Sequence, residues 1–247
     1  RYYPFNKMAA HILGFVGFSE DEVKTEGKYG IEKYFDDLLS GQPGSIEGAE
    51  ITKPTQGTDI NLTIDRNIQF EIESTLKKLV EEKNAVGGTI IVQEPKTGKI
   101  LAMASYPNYD PSHYGDFAKD YFKNPITVGG YEPGSTFKIL VMAAALNEGV
   151  VEKDTVCDIC YGPLVEGKYT IRTWNNRYYP GSTMSDVIVH SDNIGMVYVA
   201  RKLGLDKLYK YLEDFGLGKL TGLDVEDEYS PPFRQKEEWR DIDLMTA

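Results

Sequence analysis

The most informative stretch of this sequence is Tyr131-Glu-Pro-Gly-Ser-Thr-Phe-Lys138, which opens an apolar run that continues to residue 146. The run is apolar on nearly every side of a helix, so it predicts a buried helix over residues 135–147. Pro133 and Gly134 predict a turn that presents Ser135 at the start of this helix. Residues three apart share one face of a helix, so the Lys138 amine is expected to reach the Ser135 hydroxyl.

Ser135 and Lys138 have the chemistry of a nucleophile and its base. Burial disfavours the charged amine and lowers the pKa of the lysine, and a neutral amine can take the proton of a serine hydroxyl. The N–H of a serine at a helix start can also stabilise an oxyanion. This spacing often occurs by chance, with a capping serine and a solvated lysine as the alternative. Here the lysine lies inside an apolar run, which favours the catalytic interpretation.

A second candidate element is Ser191-Asp-Asn193. It falls between two predicted helices, so its side chains can project into a cleft. All three residue types also cap helices well, and alone the triplet would be interpreted as a helix N-cap. Its position after the Ser135 and Lys138 pair favours the catalytic interpretation for Ser191 and Asn193, while Asp192 is expected to be structural.

Hydrophobic periodicity over the rest of the chain predicts a mixture of helices and strands. Asp65 is a candidate N-cap, and residues 62–64 are predicted as a short strand. An antiparallel hairpin is predicted from strands at 88–93 and 99–104, and a hairpin with a long loop over 157–180. The other predicted helices are 31–39, 66–83, 183–190, 193–203 and 205–215.

Composition excludes several classes of protein. The chain has 247 residues, 41% of them apolar and 26% charged, which is ordinary for a globular protein. Its net charge of −11 disfavours nucleic acid and anionic lipid as partners, because both need a basic surface. No apolar run approaches the roughly 18 residues that a membrane helix needs. The chain opens with Arg1, not Met, so we expect it to be cut from something longer.

The cysteines and histidines give weaker signals. Cys157 and Cys160 are spaced C-x-x-C; local packing or a disulfide is favoured, while a metal site or a redox motif stays possible. The three histidines, His11, His113 and His190, lack triad partners in the sequence pattern and are expected to be structural. The aromatic side chains at 169, 174, 178 and 179 fit a packed hairpin better than a cleft lining.

Together, these motifs resemble those of class B penicillin-binding proteins, the D,D-transpeptidases of bacterial cell-wall synthesis. The resemblance runs along the whole chain. It includes Ala10-His-Ile-Leu-Gly14, the hairpin Glu94-Pro-Lys-Thr-Gly-Lys-Ile-Leu-Ala-Met-Ala104 and Thr221-Gly-Leu-Asp224. The context His190-Ser-Asp-Asn-Ile194 is more similar to the septal branch of the family than to the elongation branch.

The resemblance implies an α+β fold, an antiparallel sheet flanked by helices as in serine β-lactamases. Residues 1–58 would be part of an N-terminal pedestal or dimerisation-like region, and 59–247 the first part of the transpeptidase domain. Ser135 would attack a stem-peptide carbonyl with Lys138 as its base. Ser191 would relay a proton to the leaving amine, and Asn193 would bind the donor peptide.

The resemblance also implies partners and a location. Peptidoglycan stem peptides would be the substrates, β-lactams would acylate the same serine, and no cofactor or metal would be needed. A glycosyltransferase and other proteins of the divisome or elongasome would be partners. The full-length protein would lie on the extracytoplasmic face of the cell membrane, held by an N-terminal helix that precedes this chain.

One family motif is not in its place. The family's third motif, Lys-Thr-Gly, should follow Asn193 by well over a hundred residues. The triplet Lys96-Thr-Gly98 precedes the serine and fits a hairpin turn, so it is predicted to have no catalytic role. We therefore expect a C-terminally truncated transpeptidase domain.

That truncation predicts how residues 1–247 should behave when expressed alone. An open strand edge and an uncovered helix face favour association, so the product should be poorly soluble or oligomeric in size-exclusion chromatography. Without the second oxyanion donor, it should acylate at least about 10²-fold more slowly than the complete domain. A soluble monomer that binds penicillin at the full-length rate would contradict this expectation.

Three rivals remain: a serine β-lactamase, a β-lactam sensor and a non-catalytic scaffold. A lactamase would need a positioned hydrolytic base, and Glu166 has no motif around it. The pedestal-like residues 1–58 also argue against a lactamase and a sensor. Acylation by penicillin separates the scaffold from the others.

Overall fold

The computed structural model describes residues 2–19, 21, 23–47 and 50–245; Arg1 and Ala247, the outer ends of the predicted domains, lie outside them. The chain forms two compact units, one of Arg1–Gly129 with Gly222–Tyr229 and one of Gly130–Thr221 with Ser230–Ala247. The α-helices of the described residues are α1 (Ala10–Leu13), α2 (Gly30–Tyr34), α3 (Asp36–Ser40), α4 (Arg66–Lys83), α5 (Pro125–Val128), α6 (Lys138–Asn147), α7 (Met184–Val189), α8 (Asn193–Leu203), α9 (Leu205–Asp214) and α10 (Asp241–Met245). Short 3₁₀ helices cover Pro111–Asp116, Lys119–Tyr121, Gly134–Phe137 and Lys236–Glu238.

The strands of the described residues form four antiparallel pairs. These are β1 (Val16–Phe18) with β2 (Thr25–Gly27), β3 (Ser45–Glu47) with β4 (Glu50–Thr52), β5 (Gly88–Gln93) with β6 (Ile100–Tyr106), and β7 (Leu164–Glu166) with β8 (Tyr169–Ile171).

The first unit is built on α4 and the β5–β6 hairpin, both predicted from sequence. Asp65 caps α4 by accepting hydrogen bonds from the N–H groups of Asn67 and Ile68. Leu76 and Val80 are buried with Ala104 of β6. Gln69 is fully buried, and its amide exchanges two hydrogen bonds of 2.8 Å with the backbone of Met103. The α4 side chain therefore pairs with the free edge of β6 as a neighbouring strand would.

Two sequence predictions in the first unit are wrong in detail. Residues 62–64 do not form a strand. Isolated hydrogen bonds join Thr63 Oγ1 to the Ile100 carbonyl and the N–H of Asp65, the residue after this segment, to the Leu101 carbonyl, and Ile64 packs against the cluster that contains Met103. The single helix predicted over 31–39 is divided into α2 and α3 at Phe35, whose backbone angles (φ −109°, ψ 24°) are not helical.

A late segment of the chain completes the first unit. Gly222–Tyr229, called here the strap, belongs to this unit although the residues on both sides of it belong to the second. Leu223 packs against the buried side chains of Ile12, Ile31 and Met103. The Tyr229 N–H donates to the Thr127 carbonyl at 2.7 Å. The strap is thus fixed by both an apolar anchor and a backbone hydrogen bond.

The second unit has an apolar core formed by α6, α8 and α9. Val141, Ala145, Val199, Ala200 and Leu208 are all fully buried there. The predicted burial of the 135–147 helix is found along one face, and the expected uncovered face is also present. Ile139 is 62% exposed and Leu146 44% exposed, because α6 packs by one face only. The regular α-helix also begins later than predicted, at Lys138, after the 3₁₀ turn Gly134–Phe137.

Cys157 and Cys160 form a disulfide, which was one of the two favoured interpretations of the pair. Both are buried against the core of the second unit. The predicted hairpin over 157–180 is much shorter in the structure, where β7 and β8 turn about Gly167. Helices α7, α8 and α9 follow the predicted ranges closely.

The close approach of α7 and α8 depends on Gly195. A Cβ at this position would lie 2.3 Å from Cγ2 and 2.7 Å from Cγ1 of Val187, which is itself fully buried. A β-branched side chain cannot rotate away from such a contact. The glycine therefore allows the two helices to meet directly on either side of Ser191 and Asp192.

We expect Gly195→Ala to lower the stability of the second unit. Overpacking a core costs about 1–3 kcal/mol, and the better helix propensity of alanine, about 1 kcal/mol, returns only part of it. The denaturation midpoint of the full-length protein should fall. Gly162→Ala is the matched control, because a Cβ there meets nothing within 4 Å. Equal midpoints for the two variants would contradict the packing argument.

Candidate active site

Ser135 lies in the 3₁₀ turn Gly134–Phe137, directly before α6. Gly134 has a left-handed backbone (φ 59°), and a Cβ there would meet nothing within 4 Å. The conformation, and not a lack of space, therefore favours glycine at this position. The turn leaves Ser135 exposed to solvent and directs the next turn of the chain inward, so that Lys138 is only 8% exposed.

Ser191, Asp192 and Asn193 form the tight connection between α7 and α8. Ser191 has a left-handed backbone (φ 52°), a conformation that costs a residue other than glycine about 1–3 kcal/mol and is common at functional sites. Asp192 caps α8 by accepting from the N–H groups of Ile194 and Gly195, at 2.7 and 3.2 Å. The structural role expected for Asp192 is thus observed as a helix cap.

Hydrogen bonds join all four predicted site residues. Lys138 Nζ donates to the carbonyl oxygen of Ser191 at 2.8 Å, to Ser191 Oγ at 3.1 Å and to Asn193 Oδ1 at 2.6 Å. Ser191 Oγ lies 2.9 Å from Ser135 Oγ. The lysine, the two hydroxyl groups and the amide form one continuous polar chain that ends at the exposed serine.

The electrostatics of Lys138 are those of a candidate base. Burial lowers the pKa of its amine, and the negative charge of Asp192 opposes that effect by raising it. The net direction is downward, so the neutral amine becomes available at a lower pH than for a solvated lysine. An amine in this position can accept a proton from a hydroxyl group.

The polar chain opens into a cleft of about 450 Å³. Glu132, Pro133, Phe137 and Asn193 line it together with Ser135 and Lys138. The exposed hydroxyl therefore faces a space in which a peptide-sized group can approach it. The arrangement suits nucleophilic attack by Ser135 on a carbonyl carbon, with proton transfer through the hydrogen bonds from Ser135 by way of Ser191 to Lys138.

The structure adds two features that the motifs did not reveal. Lys138 was expected to reach Ser135 directly, but the three hydrogen bonds of its ammonium go to Ser191 and Asn193, and Ser191 Oγ makes the link to Ser135. Asn193 Nδ2 also donates to the carbonyl of Arg172 at 2.7 Å. Because that acceptor belongs to the backbone, no residue type in the sequence could have indicated it.

Other residues considered from the sequence lie in structural roles. Lys96-Thr-Gly98 forms the β5–β6 turn, as predicted, and belongs to the first unit. Glu166, the residue weighed as a hydrolytic base, pairs with Arg201 at 2.6 Å. Tyr178 packs against the core of the second unit, whereas Trp174 is 75% exposed.

The histidines also make structural contacts. His11 is buried with Nε2 at 3.0 Å from the Tyr121 carbonyl, and burial lowers its pKa to about 4. His113 lies 3.4 Å from Asp110, and His190 stacks on Tyr179 with ring centroids 4.0 Å apart. Among the described residues, no group of three or more His, Cys, Asp or Glu side chains could hold a metal ion.

Comparison with known proteins identifies the family. The model of the penicillin-binding protein transpeptidase domain matches residues 88–247. The chain belongs to this family. A second model, the penicillin-binding protein dimerisation domain, matches residues 1–62. The predicted relationship to penicillin-binding transpeptidases is confirmed.

Several relatives cover nearly the whole chain. It is 34% identical to Stage V sporulation protein D of Bacillus subtilis, over 92% of this chain and 37% of the relative. It is 31% identical to peptidoglycan D,D-transpeptidase FtsI of Escherichia coli, over 100% of this chain and 42% of the relative. The chain thus spans about two fifths of the length of these curated relatives.

A solved structure confirms the fold. Penicillin-binding protein 3 of Mycobacterium tuberculosis, in complex with aztreonam, aligns with a TM-score of 0.88 at 28% identity. The alignment covers 99% of this chain and 53% of that one. The predicted α+β transpeptidase fold is therefore correct. Within the described residues, this penicillin-binding protein chain has no helix long and apolar enough to cross a bilayer.

Proposed function

We propose that the full-length protein is a serine D,D-transpeptidase that crosslinks peptidoglycan stem peptides. The observation that carries the proposal is the polar chain Ser135–Ser191–Lys138–Asn193, which joins an exposed hydroxyl group to a buried amine. The relative in Escherichia coli is named for this activity, and penicillin-binding protein 3 of Mycobacterium tuberculosis has been solved in complex with aztreonam and with ampicillin. Both support the same reaction here.

In the proposed reaction, Ser135 Oγ attacks the penultimate D-Ala carbonyl of a stem peptide. Its proton passes to neutral Lys138 through Ser191 Oγ, at the observed distances of 2.9 and 3.1 Å. The backbone N–H of Ser135 stabilises the oxyanion. When the tetrahedral intermediate collapses, Ser191 relays a proton to the departing D-Ala amine. Asn193 binds the donor peptide amide with the hydrogen-bonding capacity that Lys138 and Arg172 leave unused.

The acyl-enzyme then reacts with an amine of a neighbouring stem peptide. That amine attacks the ester carbonyl and loses a proton to neutral Lys138. The ester bond to Ser135 breaks, Ser135 Oγ takes a proton back through Ser191, and a new amide bond replaces the one broken. β-Lactams acylate the same serine, and the reaction stops at this stage. The chemistry uses protein groups alone, with neither metal nor organic cofactor.

We also propose the domain organisation and location that the family implies. Residues 1–58 are part of a pedestal or dimerisation-like region, and 59–247 are the N-terminal portion of a transpeptidase domain. The full-length protein acts at the extracytoplasmic face of the cell membrane, through a membrane anchor outside this chain. The similarity to the FtsI proteins supports the septal branch, with a glycosyltransferase and divisome proteins as partners.

The experiment that tests the function combines two substrates. The full-length protein should bind a fluorescent penicillin covalently on the peptide that contains Ser135, as located by mass spectrometry. It should also release D-Ala from a donor pentapeptide and form a crosslinked product when an amine acceptor is added. Rapid hydrolysis of the penicilloyl enzyme would indicate a β-lactamase. Acylation without D-Ala release would indicate a β-lactam sensor, and no acylation at all a scaffold.

A further inference from the structure

The carboxylate of Asp192 is buried more completely than its capping role requires. The residue is 1% exposed. Oδ1 accepts both capping hydrogen bonds from α8, whereas Oδ2 is buried without a hydrogen-bond partner among the described residues. Serine and asparagine cap helices about as well as aspartate. Because burying a partly unpaired charge is costly, capping alone does not account for an aspartate here.

The two neighbours of Asp192 hold a buried cation. Lys138 Nζ donates to the Ser191 carbonyl, which belongs to the peptide bond that joins Ser191 to Asp192. It also donates to Asn193 Oδ1 on the other side. The three hydrogen bonds of the ammonium thus go to the residues that flank Asp192. The carboxylate is not among these partners, so its effect on the amine is electrostatic and acts through space.

Other charged or titratable groups on the adjoining segments have different contacts. Glu132 lines the cleft beside Lys138. Arg172 meets the site through its backbone carbonyl, and His190 stacks on Tyr179. Asp186 is held by the N-cap of α7. The charge that acts on Lys138 is that of Asp192, and it opposes the lowering of the lysine pKa by burial.

We propose that Asp192 is a positioning residue: its carboxylate favours the protonated form of the Lys138 amine between Ser191 and Asn193, and so sets the pH above which the neutral amine is available as a base. When the proton of Ser135 reaches the neutral amine of Lys138 through Ser191, the same carboxylate stabilises the ammonium ion that forms. One proton moves from a hydroxyl to an amine, and no other reactant is needed. The effect on rate rests on the proposed acylation of Ser135, whereas the effect on the charge of Lys138 does not.

Two substitutions remove the charge and keep the cap. Asp192→Asn retains an oxygen for the α8 N–H groups, and Asp192→Ser caps α8 with a smaller side chain. The acid limb of the pH profile of acylation by fluorescent penicillin should move down by about one pH unit in both. The rate at high pH should fall by no more than about tenfold, because the amine is then a weaker base. A purely structural residue would lower the rate at every pH without moving the limb.

Asp65→Asn is the matched control. Asp65 caps α4 in the first unit by accepting from the N–H groups of Asn67 and Ile68, at 2.8 and 3.0 Å. The substitution neutralises a capping aspartate in the same way, and the pH profile should stay as in the parent protein. An unchanged acid limb in both Asp192 variants would overturn the proposal, as would an equal movement in Asp65→Asn.

A direct titration separates this inference from the proposed function. Full-length Ser135→Ala protein, labelled with [ε-¹³C]lysine, is titrated by NMR with and without Asp192→Asn, and the Lys138 signal is assigned by its loss in Lys138→Arg. The titration midpoint of Lys138 should be lower in the double variant. A lower midpoint in the double variant, together with no acylation of the parent protein, would support the electrostatic role of Asp192 and contradict the proposed function. Acylation of the parent protein, together with equal midpoints, would support the proposed function and contradict the role of Asp192.

Discussion

Full-length protein with Ser135→Ala should form no covalent adduct with a fluorescent penicillin. The substitution removes the only atom that the proposed reaction acylates. The fold should survive, because Ser135 is exposed and its side chain meets Ser191 through one hydrogen bond of 2.9 Å. Surface changes of this kind usually stay within about 0.5 kcal/mol.

Gel fluorescence after incubation with the penicillin measures the adduct, and intact-protein mass spectrometry confirms it. Ser185→Ala is the control, because Ser185 is an exposed serine of the same unit whose hydroxyl bonds to the Lys153 carbonyl. It should be labelled like the parent. Undiminished labelling of Ser135→Ala would assign the nucleophile to another residue and remove the proposed mechanism.

Lys138→Arg should slow acylation by at least about 10²-fold, the usual scale for loss of a general base. Arginine preserves the positive charge and can donate to Ser191 and Asn193, but it stays protonated in proteins. Lysine can act as a base because its amine can lose a proton and become neutral. Burial lowers the pKa of its amine, so the base is present above that pKa and is lost as the pH falls through it. With arginine at this position, the acylation rate should not rise with pH in the accessible range.

The second-order rate constant of acylation, measured between pH 6 and 10, tests this expectation. The parent protein should show a rising limb, and Lys138→Arg a low and nearly flat profile. Lys207→Arg is the matched control, since Lys207 is a more exposed lysine paired with Glu148. A near-normal rate in Lys138→Arg would show that another group removes the serine proton.

The sequence alone predicted those features that follow from the chemistry of particular residues. Asp65, followed by a helical stripe, predicted both the cap and the extent of α4. The two serine motifs predicted which four side chains meet, because their chemistry depends on their being together. The route of contact was not predictable: the link through Ser191 depends on a left-handed backbone at that residue, and such a conformation is not apparent from the letters Ser-Asp-Asn.

The errors have a common physical origin in tertiary contacts. The apolar pattern of residues 135–147 contains no information about which face lacks a neighbour, so it did not predict that Ile139 and Leu146 would be the exposed side chains. Residues 62–64 have the composition of a strand, yet Gln69 of α4 satisfies the backbone of Met103 further along the same edge of β6. The Gln69 side chain thus makes the hydrogen bonds to the edge of β6 that a neighbouring strand would make.

The strap has a consequence for biosynthesis. A ribosome makes residues 130–221 after most of the first unit and before Gly222–Tyr229, so the first unit cannot finish folding while its own early residues emerge. Until Leu223 arrives, the socket formed by Ile12, Ile31 and Met103 stays open on the nascent chain. The order of synthesis therefore obliges the second unit to be made, in large part, before the first can close. The first unit is therefore completed only after the segments that carry the active-site residues have been synthesised.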